Sequence, residues 1–251
     1  MTKSNKIKDD ILINVIDWND MDDYDEEDES NNFDSFYNIE AYGRTEDNKS
    51  VYVKITDFTP YFFVEIPRSW KDMHVNKFIN FIKSKTYGKY QTSLIKFDIV
   101  KKHRLYGFTA GKRFKFVRLI FNTHEAMKKY RWIFNSKHRI PGLDNSFREY
   151  KSYEPNFPPL LRFMHIQNID ASGWIKIAKE KYNKLSKRCY NVDLAIEAKW
   201  TDVIGLEKQS ISKIRIASYD LECTSGDGSF PQANRETDKI IQIGTTFSYN
   251  G

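Results

Sequence analysis

Two carboxylates one residue apart, Asp220 and Glu222, are the residues in this sequence best suited to chemistry. They lie in residues 213–223, an alternating run that predicts a strand with Tyr219, Leu221 and Cys223 on one face and Ile214, Ile216, Asp220 and Glu222 on the other. An extended chain sets alternate Cα atoms roughly 7 Å apart, so both acids can converge on two divalent ions held about 4 Å from each other. Mg²⁺ takes hard oxygen ligands and commonly binds through one or two carboxylates plus substrate phosphate. Such a pair supplies half of a site for two-metal cleavage of a phosphodiester. Taken alone, an Asp-x-Glu strand reads first as a solvated acidic edge, so the surrounding sequence has to decide.

A long polar segment follows, with Gly226, Gly228, Phe230 and Pro231, and residues 239–249 resume as a second strand with Ile240, Ile241, Ile243 and Phe247. Connections this long inside a compact unit are more often functional than filler. The blocks Ser218-Tyr219-Asp220-Leu221-Glu222-Cys223, Phe230-Pro231 and Asp238-Lys239-Ile240-Ile241-Gln242-Ile243-Gly244 resemble, in order and spacing, the first exonuclease motif of B-family DNA polymerases. These are the replicative polymerases of eukaryotes, archaea and large DNA viruses. Upstream, Glu154-Pro155-Asn156-Phe157-Pro158-Pro159-Leu160-Leu161-Arg162-Phe163-Met164, with Gly173-Trp174-Ile175 behind it, is similar to the segment that precedes the exonuclease domain in that family. Phe157, Pro159 and His165 depart from its usual residues, and the spacing from Gly173 to Trp174 is one residue shorter. Read physically, the segment is a helix with Leu161 and Met164 facing inward. Leu105-Tyr106-Gly107-Phe108 is similar to the viral and eukaryotic members.

The resemblance implies an N-terminal domain over residues 1–208 and the beginning of an RNase H-like 3′–5′ exonuclease domain over residues 209–251. It implies two Mg²⁺ ions, with Asp220 binding or bridging both and Glu222 binding the one that holds the attacking water. Phe230 would stack on the frayed primer terminus, as aromatics do on single strands. The implied partners are primer-template DNA with its single-stranded 3′ end and, for the parent enzyme, deoxynucleotides; a processivity factor is left open. In the family, the other exonuclease carboxylates and every polymerase motif lie beyond position 251. The chain alone is therefore expected to lack polymerase activity and to have negligible nuclease activity.

Composition agrees with a folded chain: 40% of the 251 residues are hydrophobic, enough for two modest cores. No apolar run approaches the roughly 20 residues of a bilayer span, and the N-terminus lacks a signal-peptide core. The expectation is an intracellular protein without a membrane partner, in nucleus or cytoplasm, and in the host cell if viral. Cys189 and Cys223 are too few for a structural zinc site and read as reduced thiols. Residues 1–34 hold three Lys against twelve Asp or Glu, so a formal +6 overall conceals a body carrying +15. That excess favours a polyanionic partner, with ordinary solubilising lysines as the alternative.

Residues 11–18 read as a strand, and the acidic block 20–30 predicts a mobile loop spanning about 19–34. Residues 36–42 and 51–55 predict a hairpin. Val75, Phe78, Ile79 and Ile82 share one stripe of a helix over about 70–85. Strands are expected at 93–100 and 115–121. Thr123 then caps a second helix with Ala126, Met127, Tyr130, Ile133 and Phe134 facing in. A sixth element near 147–153 would complete a split β-α-β unit over about 57–153, ferredoxin-like or RRM-like. RNA-recognition modules share this topology, which raises a second class of function: a non-catalytic single-strand nucleic-acid-binding module. Its stacking strand would be Arg113 to Phe121, which lacks the usual glycine and reads first as core aromatics with surface lysines. Residues 176–188 predict a basic helix or turn, and strands at 188–194 and 195–200 lead to a domain boundary near 205–212. The expected class is mixed α/β, a β-rich N-terminal domain followed by the first strands of the exonuclease domain.

Overall fold

The structure, a computed structural model, describes residues 10–24, 35–185 and 191–249. In chain order, β1 (Ile11–Tyr24), β2 (Ser35–Thr45), β3 (Ser50–Thr56) and β4 (Tyr61–Glu65) precede helices α1 (Asp72–Ser84) and α2 (Tyr90–Ser93). Then come β5 (Leu94–Lys102), β6 (Phe114–Phe121), α3 (His124–Ile133), β7 (Ser152–Tyr153) and α4 (Pro159–Ile166). The chain continues through β8 (Trp174–Ile177), β9 (Tyr182–Lys184), β10 (Leu194–Lys199), β11 (Val203–Leu206), β12 (Arg215–Cys223) and β13 (Ile240–Tyr249). The fold is mixed α/β and rich in strands.

Seven strands form one sheet in the order β11-β8-β1-β2-β3-β10-β9. β10 lies parallel to β3 although some 140 residues separate them in sequence, and it is the parallel pair in an otherwise antiparallel sheet. Ile13, Ile39, Val53, Ile175, Ile177 and Ile196 project from this sheet into a core that Phe163 and Met164 of α4 close. Burial of these side chains is the main force holding sheet and helix together.

A second sheet runs β5-β6-β4-β7, antiparallel throughout. Phe62 and Val64 of β4 and Val117, Leu119 and Phe121 of β6 face α1 and α3, whose buried stripes are Val75, Phe78, Ile79, Ile82 and Ala126, Met127, Tyr130, Ile133. Both helices therefore cover one face. The stripe expected for residues 70–85 is the one that is buried, and Thr123 caps α3 through Oγ1, which accepts from the Ala126 amide at 3.1 Å.

The other face of this sheet is already occupied. Phe116 is 2% exposed, the Arg118 guanidinium lies 5.2 Å from the Tyr61 ring while pairing with Asp98, and Lys102 sits 4.3 Å over Phe63. Tyr153 meets Phe116 edge-on at 5.2 Å. The strand considered for base stacking, Arg113 to Phe121, thus supplies packing: its rings are buried or covered by cations.

Three local expectations are corrected. The acidic stretch 19–24 belongs to β1, which pairs with β2 as far as Tyr24; residues 25–34 lie outside the described residues. Its acids have partners remote in sequence. Asp20 accepts from Tyr37 Oη at 3.0 Å, and Asp23 accepts from Asn38 at 3.1 Å and Lys54 at 3.0 Å. Asp22 accepts the His124 and Glu125 amides at 2.7 and 2.8 Å, capping α3 from another strand. Second, Leu161 is 50% exposed, and Arg162 and Phe163 take the inward positions beside Met164. Third, residues 191–193 form no strand and β10 is a single strand; residues 186–190, with Cys189, lie outside the described residues. Residues 176–177 end β8 and Tyr182–Lys184 form β9, and of the basic helix or turn expected here the turn is present between them, the Lys181 amide donating to the Ala178 carbonyl at 3.1 Å. Cys223 is a free, exposed thiol. Among the described residues no helix is long and apolar enough to cross a membrane.

Asp22 satisfies amides at the positive end of a helix, where a carboxylate is stabilising. Asp22→Ala is expected to lower the free energy of urea unfolding by about 1–2 kcal/mol. Thr123→Ala is expected to cost about 1 kcal/mol. Unchanged midpoints for both variants would show that these caps contribute nothing.

Candidate functional site

β12 and β13 form a two-stranded antiparallel hairpin in which Asp220 stands opposite Gly244 and Glu222 opposite Gln242. Pairing is regular through Glu222 and irregular only beyond it, so the two carboxylates project from one face, as the period of a strand requires. Both are exposed, and neither forms an ion pair among the described residues. Asp220 Oδ1 accepts the neighbouring Leu221 amide at 3.0 Å. A Cβ built on Gly244 would meet nothing within 4 Å, which leaves the space beside Asp220 open. Among the described residues no group of three His, Cys, Asp or Glu that could hold a metal ion is present.

The connection from β12 to β13 is held by two further carboxylates. Asp227 accepts from Ser225 Oγ at 3.0 Å, from the Ser229 amide at 2.9 Å and hydroxyl at 2.5 Å, and from Arg235 at 2.9 Å. Asp238, its side chain 3% exposed, accepts the Gly226 and Gln232 amides at 3.1 and 3.0 Å and lies 3.9 Å from Arg235. Gly226 is required by close approach: a Cβ there would meet Thr237 at 2.6 Å. The result is an ordered loop that presents Phe230 with its ring 88% exposed.

Sequence reading missed these organisers. Asp227-Gly228-Ser229 carried a usable signal, because Asp in such a tripeptide closes a turn onto its own backbone; Asp238 carried none, because its partners lie 6 and 12 residues away. Also missed were the residues that fix where β12 starts. Trp174 Nε1 donates to the Ser210 carbonyl at 2.5 Å beneath Lys208, and Asn14 Oδ1 accepts from both the Ser212 amide at 3.0 Å and its hydroxyl at 2.9 Å.

Backbone donation from Gln232 and then Gly226 holds the Asp238 carboxyl below its ordinary range, and the Ser229 hydroxyl and amide do the same for Asp227. A depressed folded pKa means that the loop is stabilised above the ordinary aspartate range and loses that support as pH falls through the lowered values. The amide shifts of Gly226 and Gln232 are accordingly expected to titrate together below about pH 3.9, read by NMR. A midpoint at or above that value would remove these carboxylates as the loop's anchors.

The apolar residues of the hairpin are uncovered: Tyr219, Ile241, Ile243, Phe247 and Tyr249 are each more than half exposed. A two-stranded hairpin is marginal alone, and an apolar surface of this kind marks a face built to be covered. Residues 150–251 match the family described as DNA polymerase family B, exonuclease domain. They include the β12–β13 hairpin and the 154–164 segment, and the match assigns residues 150–251 to the exonuclease domain of family B DNA polymerases.

Among relatives, the chain is 39% identical over 221 residues to the DNA polymerase of Acanthamoeba polyphaga mimivirus, covering 84% of this chain and 13% of that one. It is 30% identical over 216 residues to the DNA polymerase of Paramecium bursaria Chlorella virus NY2A (86% and 22%). It is 27% identical over 223 residues to the DNA polymerase delta catalytic subunit of Dictyostelium discoideum (85% and 20%). The fold is similar to that of the family B DNA polymerase from the archaeon Pyrobaculum calidifontis, with a TM-score of 0.65 at 13% identity over 95% of this chain and 25% of that one. The chain thus spans between an eighth and a quarter of the length of the proteins it matches.

Proposed function

We propose that this chain contributes the first carboxylate strand of a 3′–5′ exonuclease site in a DNA-directed DNA polymerase that copies DNA and removes mispaired 3′ nucleotides. The observation that carries the reading is the shared, unpaired face of Asp220 and Glu222, open beside Gly244, in the segment matched to the exonuclease domain. Two carboxylates free of cationic partners suit Mg²⁺ by donor chemistry. Asp220 would bind or bridge both ions and Glu222 the one that holds the attacking water. Two such ions, when bound, lower the pKa of a water and stabilise the leaving 3′ oxygen. The chain's own residues position the DNA: Asp227 and Asp238 order the loop, and Phe230 offers its exposed ring to an unpaired 3′ nucleotide.

In this reading residues 1–208 are the N-terminal domain and residues 209–251 begin an RNase H-like domain, the junction being tied down by Asn14 and Trp174. Residues 57–153 are a ferredoxin-like, RRM-related unit, supported by the β5-β6-β4-β7 order and by two helices on one face. The partners are primer-template DNA and, for the whole enzyme, deoxynucleotides. The site of action is the nucleus or cytoplasm, in the host if the protein is viral. A purely non-catalytic RRM-like module is disfavoured by the burial of the β6 aromatics.

The test is release of a labelled, mispaired 3′ nucleotide. The full polymerase carrying this chain is expected to release it with Mg²⁺ present, and residues 1–251 alone are not. Release by residues 1–251 alone, or none from the full polymerase, overturns the reading.

A further inference from the structure

At one end of the four-stranded sheet, where β5 stops and β6 and β7 start, lies a cleft of about 970 Å³. Arg68, Lys101, Lys112, Arg113, Arg148 and Lys151 line it, all exposed. Two acids share the lining, and Glu65 is already engaged. It accepts from Arg104 Nε and Nη2 at 2.9 and 2.6 Å and from Tyr153 Oη at 3.0 Å, and although burial opposes it, these bonds hold its carboxyl below the usual range. Arg148 has an ion-pair contact at 3.6 Å with Asp144. Among the described residues the other five cations have no carboxylate within ion-pair distance. Lys151 still acts on Glu65 through charge, and Glu149 is the second acid of the lining; cations outnumber acids around one concavity, which attracts a polyanion with several phosphates.

The connection from β5 to β6, residues 103–113, rims the same cleft through Arg104, Lys112 and Arg113. It carries Tyr106, 77% exposed, and Phe108, 97% exposed, on either side of Gly107 at φ +83°. Solvated loops seldom display two bare aromatic rings beside a cationic cleft. Rings next to a phosphate-binding wall are what unpaired bases stack on, and a duplex keeps its bases out of reach of such rings. The location differs from the helix-free sheet face, whose aromatics are covered.

We propose that the β5–β6 hairpin and the cleft at its foot bind a single-stranded nucleic acid, its phosphates along Arg68, Lys112, Arg113 and Lys151 and its bases on Tyr106 and Phe108. The site shares no residue with the Asp220 and Glu222 strand and does not depend on the nuclease reading.

Fluorescence anisotropy tests it, using residues 1–251, a labelled 12-nucleotide oligodeoxythymidine and EDTA, so that no divalent ion bridges DNA to the β12 carboxylates. Saturable binding is expected, weakened about tenfold or more by Tyr106→Ala with Phe108→Ala. The triple variant Arg68→Ala, Lys112→Ala, Arg113→Ala is expected to weaken binding and to flatten the slope of log K against log salt by about 2. Lys128→Ala with Lys129→Ala, a loss of two exposed charges on α3, is expected to bind within about twofold of the parent. All these positions are exposed, and thermal melts verify folding; Tyr106→Leu with Phe108→Leu keeps apolar bulk while removing the stacking faces. Absence of binding, equal affinity for a 12-base-pair duplex, no loss in both aromatic variants, or an equal loss in the α3 variant overturns the proposal.

Discussion

Replacing Asp220 and Glu222 together by alanine in a full-length polymerase carrying this chain is expected to slow release of a mispaired 3′ nucleotide by about 10³-fold or more, and to leave extension of a matched primer within about twofold. The size follows from what the pair would supply: metal-assisted charge stabilisation amounts to several kcal/mol, and each 1.36 kcal/mol is a tenfold change in rate. Selectivity follows from the structure, because both side chains are exposed, stand on a hairpin outside both cores and have no ion-pair partner among the described residues. Removing them opens no cavity. Rapid-quench single-turnover hydrolysis of a mispaired primer, beside extension from a matched one, reads the two activities separately. Because ligands of one ion pair act as a unit, each single variant is expected to lose nearly as much as the double. Loss of extension in parallel would make the carboxylates structural and remove the nuclease reading.

The second large effect concerns stability. In the 154–164 segment, Arg162 has its side chain 8% exposed and meets Glu154 Oε2 at 2.6 Å. Its guanidinium lies 4.2 Å from the Tyr61 ring and 4.9 Å from the Phe157 ring, and its Nη2 is buried with no hydrogen-bond partner. Glu154→Ala would leave a buried cation without its counter-charge. Breaking a fully buried pair costs about 3–5 kcal/mol; Glu154 is a third exposed, so water recovers part of this and roughly 2–4 kcal/mol is expected. Arg162→Met removes the charge and keeps the bulk under Tyr61, so its cost is expected to be smaller, about 0–2 kcal/mol. The ordering is the test. Urea unfolding in which Arg162→Met destabilises more than Glu154→Ala would show that stacking rather than charge pairing holds the segment.

That segment also shows where sequence reading stops. As a pattern, Glu154 to Met164 identified the region, yet periodicity put Leu161 inward. A short helix starting at Pro159 has two usable stripes, and the choice fell to Tyr61 and Phe157, which receive the Arg162 guanidinium, and to Phe58 and Trp18, which pack edge-on against Phe163. The acids at 20–23 teach the same lesson. Their composition predicts a solvated loop, but Lys54, Asn38, Tyr37 and the first amides of α3 converge on them from other elements.

The sequence by itself determined whatever depends on neighbours along the chain. A period of two put Asp220 and Glu222 on one face, the i, i+3, i+4 spacing chose the buried stripes of α1 and α3, and Thr123 marked where α3 begins. Only the tertiary structure decided what depends on residues far apart. It set the parallel pairing of β10 with β3, packed Phe116 of β6 against Tyr153 and covered Phe114 with Arg104, made Asp238 an anchor of the Phe230 loop, and gathered unpaired cations beside Tyr106 and Phe108. Local steric and periodic preferences are written into a few consecutive residues, whereas counter-charges, covers and clefts form only when distant segments meet.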